Sequence, residues 1–169
     1  MTYRVGDVIQ AMIQYNGTDI ARIHHALKVY SFAKSIGELQ GLEEKQMEIL
    51  ELAAVLHDIG IHNSEKKYGS SSGKYQELEG PAVAKELLDQ AGIPDCVIER
   101  VCFLIGHHHT YTQIDGIDYQ ILIEADFLVN LYEEGLGRTQ AQAVLEKYFK
   151  TEVGKKYLTT MFLNEKHPD

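Results

Sequence analysis

Residues 54–60 read Ala-Val-Leu-His-Asp-Ile-Gly. The stretch decides the fold because its apolar run keeps a helical period: His57 continues Met47, Leu50 and Ala54 at steps of three and four. The same period recurs on either side. Ile20, Ile23, Leu27 and Tyr30 form one stripe, Val97, Val101 and Leu104 another, and Leu122 with Val129 a further one. Strand-like alternation is absent at useful length. The pattern predicts helices near 2–14, 19–39, 43–59, 75–90, 95–107, 118–134, 139–150 and 152–163. Gly41, Gly60, Gly92 and Gly135 are expected to close helices, and Pro81 and Pro94 to start or kink them. The longest connection is expected over 61–74. The fold class is all-α, read as a single domain over residues 1–169.

The chain has 169 residues, 44% apolar and 24% charged, which is ordinary globular usage and excludes a disordered or collagen-like chain. Lys plus Arg number 16 against 25 Asp plus Glu, a formal net charge of -9. An acidic surface repels phosphate backbones, so an extended nucleic-acid partner is not expected, while a local basic pocket for a small phosphate remains allowed. The two cysteines, Cys96 and Cys102, fall six apart in one helix and face different ways, which disfavours a bridge. The first residues lack the apolar core of a signal peptide, and no apolar run reaches the ~18 residues that span a bilayer. A cytoplasmic protein without a membrane partner is expected.

Eight histidines occur, seven of them between residues 24 and 109; His167, in the polar tail, reads as solvated. His25 shares a stripe with Val29, Phe32 and Ile36, His57 continues Leu50 and Ala54, and His108 continues Val101 and Leu104. Asp126 sits between Leu122 and Val129. Each residue alone has a plainer reading: a hydrogen-bonded core histidine, a buried acid paired with an arginine, or, for His57-Asp58, a cap with Gly60. The conjunction on four helices points instead to a cation, because a buried carboxylate without a partner is costly and imidazole with carboxylate suits first-row metals.

His25-Ala26-Leu27-Lys28-Val29, Ala54-Val55-Leu56-His57-Asp58-Ile59-Gly60 and Ile123-Glu124-Ala125-Asp126, in that order over about residues 19–130, resemble the motif set of the HD superfamily of metal-dependent phosphohydrolases. The resemblance implies an all-helical bundle with a metal between its central helices, helices 139–163 packed on that core, and His25, His57, Asp58 and Asp126 as the metal quartet. Two-metal members of the family add two histidines. At one matching place, Gln76-Glu77-Leu78-Glu79-Gly80, none occurs, and Glu77 or Glu79 could supply an oxygen instead. Ile105-Gly106-His107-His108 satisfies the other, and His108 is favoured over His107 and His109 because it continues the apolar stripe; the plainer reading of the run is a helix end. One or two divalent ions per chain are expected, with Mn, Mg, Fe, Co and Ni all open.

The segment 66–74 concentrates positive charge in Lys66, Lys67 and Lys74. It resembles a P-loop only superficially: Gly69-Ser-Ser-Ser-Gly-Lys is one residue short and Tyr75 replaces the Ser or Thr. It could be a solvated loop or a lid whose lysines hold substrate phosphate. Arg22 and His107 are further candidates for phosphate contact, Asp58 for orienting an attacking water, and His62 for a general acid; Arg22 and His62 each have a surface-residue alternative. The expected activity is hydrolysis of a small phosphorylated or nucleotide substrate. A di-iron oxidase and a non-catalytic metal-binding module are the rivals, and a homodimer is compatible with either.

Overall fold

The side chain of Asp19 accepts a bond from the Arg22 amide at 3.3 Å and so starts the helix that carries His25. In this computed structural model, which describes residues 3–165, nine α-helices follow one another with no strand among the described residues. They are α1 (Val5–Asn16), α2 (Ile20–Leu39), α3 (Glu44–Leu56), α4 (Ile61–Tyr68), α5 (Gly73–Gln90), α6 (Asp95–Ile105), α7 (Ile117–Glu133), α8 (Arg138–Tyr148) and α9 (Glu152–Leu158). A π-helical turn, Thr159–Leu163, extends α9. His167 and the Met1-Thr2 start of the N-terminal stretch lie outside the described residues.

Helix α2 packs along α3 and α7, and these three form the centre of the bundle. The stripes close on one core, in which Val29, Ile36, Leu50, Ala54, Val101, Leu104 and Leu122 are all buried. Helix α7 is buried along most of its length, which explains its nearly continuous apolar sequence. The C-terminal helices dock on it in two ways. The rings of Tyr111, Phe127 and Tyr148 cluster, with Phe127 stacked on Tyr148 at 4.8 Å. Glu124, fully buried, accepts from the Thr151 hydroxyl at 2.9 Å and from Gln120 at 2.9 Å. Burial pushes the Glu124 carboxyl up, and these donors oppose it.

The expected connection over 61–74 is the main correction. Residues 61–68 form α4, and α5 begins at Gly73, leaving only 69–72 between them. Helix α4 buries only Ile61 and Ser64, too few positions to register as an apolar stripe. It is held locally: the Ser64 hydroxyl donates to the Gly60 carbonyl at 2.8 Å, and Gly69 ends it at φ +63°. Gly60 accordingly opens a helix rather than closing one, at φ -80°. A Cβ there would come 2.6 Å from the Gly80 nitrogen, so the turn after His57-Asp58 lies directly on the backbone of α5. Pro81 stands inside α5.

Candidate metal centre

His57 and Asp58 emerge in the turn after α3, His25 from the middle of α2, and Asp126 from the middle of α7. His108 follows α6 in the turn 106–109. The loop after it is fastened by Arg100, which binds Asp118 at 2.7 Å and Asp115 at 2.8 Å, and by Tyr119, whose hydroxyl donates to the His107 carbonyl at 2.8 Å and to that of Thr110. All four histidine and aspartate elements therefore deliver their side chains to one point, between α2, α3 and α7.

The hydrogen bonds behind the rings determine what those side chains present. His57 Nδ1 lies 2.7 Å from the Ala54 carbonyl, His108 Nδ1 2.7 Å from the Ile105 carbonyl, and His25 Nδ1 2.9 Å from Glu133 Oε2. These acceptors cannot donate, so each Nδ1 carries the proton and each neutral ring turns a bare Nε2 inward. His25 Nε2 then lies 3.1 Å from His57 Nε2, 3.2 Å from Asp126 Oδ1 and 3.2 Å from Asp58 Oδ2. His57 Nε2 is 3.4 Å from Asp126 Oδ1, and His108 Nε2 3.3 Å from Asp58 Oδ1. Lone pairs converge with no donor among them. That donor set fits a divalent cation.

Without a cation, protons must separate these lone pairs. Burial lowers the His25 ring, but its bond to Asp126 and the charges of Asp58 and Asp126 outweigh this and hold it up at about 9. His57 is raised in the same way, against its complete burial. Burial would raise Asp58 and Asp126, yet the imidazoles around them keep both well below the usual carboxylate range. Among the described residues Asp126 has no arginine partner; its other neighbour is Asn130, which donates to Oδ1 at 3.0 Å.

Two donor groups emerge. His25, His57 and Asp126 form one, and Asp58, His108 and His109 the other, each with ligand atoms within 4.8 Å of one another. His109 is the residue that sequence reasoning passed over for His108. Its Nε2 lies 3.0 Å from Gln76 Oε1, and its backbone amide donates to Glu77 Oε1 at 3.0 Å. Gln76, not Glu77 or Glu79, faces the centre: Glu77 is occupied by His109 and Thr110, and Glu79 by Lys67 and Tyr68. Gly73 packs against the His109 ring, where a Cβ would meet Cγ at 2.6 Å.

A polar cavity of about 330 Å³ opens over both groups, lined by Arg22, Asp58, Ser71, Gly73, Gln76, His109, Asp126, Asn130 and Glu134. A larger cavity, about 480 Å³, lies between α1 and α3 against Glu44, Lys45, Glu48 and Glu51 and touches none of the converging donors. Three groups of the expected contact residues lie outside the lining of this cavity. Lys66 and Lys74 are exposed and do not line that cavity, and Lys67 is tied to Glu79 at 2.8 Å; Lys66 and Lys67 lie on α4, and Lys74 in the first turn of α5. His62 lies beside Asn16 and Asp19, at 3.0 Å and 3.5 Å, outside the cavity lining. His107 stacks on Phe103 at 4.1 Å and donates to the Phe103 carbonyl. Arg22 alone of the proposed phosphate contacts reaches the cavity wall.

A helical bundle with imidazoles and carboxylates converging between its central helices is a metal-binding fold. The model of the HD domain matches residues 22–148, and the chain belongs to that family. Its fold is similar to the crystal structure of a predicted HD superfamily hydrolase from an uncultured Thermotogales bacterium. That likeness covers 92% of this chain and 82% of the other, with a TM-score of 0.61 and 23% identity. No curated protein matches the sequence. Among the described residues, no helix is long and apolar enough to cross a membrane.

Proposed function

We propose that the protein is a metal-dependent phosphohydrolase acting on a small phosphorylated or nucleotide substrate. The observation that carries the reading is the convergence of bare lone pairs from His25, His57, Asp58 and Asp126 beneath a cavity whose wall includes Arg22. A divalent ion held by these residues would supply Lewis acidity and lower the pKa of water. The chain does the rest. Arg22 neutralises phosphate charge at the cavity wall. Asp58 turns one oxygen toward His25 and the other toward His108, which suits it to bridge the two donor groups. His109, kept largely out of water, is lowered to about 4 by burial and by His108, so its ring is neutral and able to ligate at physiological pH. The cavity is at the small end of the roughly 300–1,000 Å³ of small-molecule sites, which favours a compact substrate over a polymer.

The two donor groups together also suit a pair of irons, so the oxidase reading is tested alongside. Protein purified without a His-tag is assayed for bound metals, then offered a phosphoester and nucleotide panel with Mn, Mg, Fe, Co or Ni, with and without dioxygen. Anaerobic phosphate release with Mg or Mn supports the hydrolase, and Arg22→Ala should raise KM more than Lys66→Ala with Lys74→Ala. Turnover that requires iron and dioxygen, or none with the site filled, overturns it.

A further inference from the structure

An imidazole offers Nε2 to a cation only if something holds the proton on Nδ1. His57 and His108 obtain that acceptor from carbonyls three residues earlier in their own chain segment, at 2.7 Å each, because both rings sit at helix ends. His25 is in the interior of α2, where backbone carbonyls are engaged in the helix ladder. Its acceptor must come from elsewhere. Glu133, at the end of α7, provides it: Oε2 lies 2.9 Å from His25 Nδ1, and Oε1 lies 2.6 Å from Lys28 Nζ.

We propose that Glu133 is a positioning residue of the metal centre, fixing the ring of His25 for coordination, and that Lys28 holds Glu133 in place. The inference rests on the metal-centre reading above. Lys28 follows His25 by one turn of α2, and Glu133 follows Asp126 by two turns of α7, so the four residues form one strip where the helices meet. The carboxylate accepts a charge-assisted bond that a carbonyl cannot match, which makes His25 a stronger donor than either other ring. His25 is also the one ring of the three whose orientation depends on a replaceable side chain.

The test titrates Co(II) into full-length, metal-free protein against a competing chelator and records its visible absorption, which reports ligand geometry. Glu133→Ala should weaken Co(II) binding roughly 10- to 100-fold and change the absorption band. Glu133→Gln, which keeps an oxygen acceptor, should recover much of the affinity and the wild-type band. Lys28→Met should lose less than Glu133→Ala. Thermal melts of the metal-free variants separate coordination from folding. Equal Co(II) affinity in wild type and Glu133→Ala overturns the proposal. So does a loss in Lys28→Met and Glu133→Gln as large as in Glu133→Ala that tracks their melting temperatures, which is the behaviour of a mere ion pair between helices. A wild-type chain that binds no Co(II) overturns both the proposal and the reading beneath it, whereas failure in the variants alone leaves that reading standing.

Discussion

Gln76 and His109 meet at 3.0 Å, amide oxygen to ring Nε2, and the bond fixes which nitrogen His109 has to offer. The amide nitrogen of Gln76 donates to the Ser71 carbonyl at 2.7 Å, so its oxygen faces the ring and accepts from Nε2. Nδ1 is left as the lone-pair nitrogen of a residue grouped with Asp58 and His108. At the position where the family resemblance leads one to expect a histidine, this chain has Gln76, which holds the ring of His109.

Gln76→Ala should therefore weaken a second Mn(II) ion about tenfold while leaving the first almost unchanged, as titration calorimetry would resolve. Identical isotherms for the variant and the wild type would remove Gln76 from the second donor group.

His57→Ala and Asp126→Ala should each lose the first ion, with affinity down roughly 100-fold or more, while far-UV circular dichroism stays close to wild type. The core around them keeps Leu50, Ala54, Leu122 and Val129, which hold the helices without the metal. Unchanged metal content after purification of both variants would show that the ion sits elsewhere.

Acid should release the metal, because protons and cation compete for the same lone pairs. In the metal-free protein the His25 pKa is held at about 9, above its ordinary 6.5. A folded-state value raised in this way contributes stability that is fully present below about pH 6.5 and is lost as pH rises through about 9. Chelator-treated protein should melt at lower temperature at pH 9 than at pH 6.5, and His25→Asn should flatten that difference. Mn(II) affinity should rise over the same interval. A metal-free melting temperature that climbs from pH 6.5 to 9 contradicts the linkage.

Glu124→Ala should cost about 2–4 kcal/mol in urea unfolding, since it leaves the Thr151 hydroxyl and Gln120 amide without their buried acceptor and opens a cavity. Thr151→Ala should cost about 1 kcal/mol, because its hydroxyl also accepts from the Gly154 amide and caps α9. A Glu124→Ala cost below that of Thr151→Ala would show that α9 is held mainly by its apolar contacts.

The helical class and the stripes that carry the converging side chains are legible in the chain alone, because burial against a core requires a periodicity that is written locally. Met47, Leu50, Ala54 and His57 share a face whatever they later touch. His25, His57, His108 and Asp126 stand out along the chain as titratable residues among apolar neighbours, and Asp58 through the motif resemblance. Helix α4 was illegible because it buries only Ile61 and Ser64 and so leaves no stripe to read. Long-range packing sets His109 beside Asp58, Gln76 against His109, and Glu133 against His25 across 108 residues of sequence. Those relations depend on the close contact of Gly60 with Gly80 and of α2 with α7, and the direction of a hydrogen bond between distant segments has no local signature.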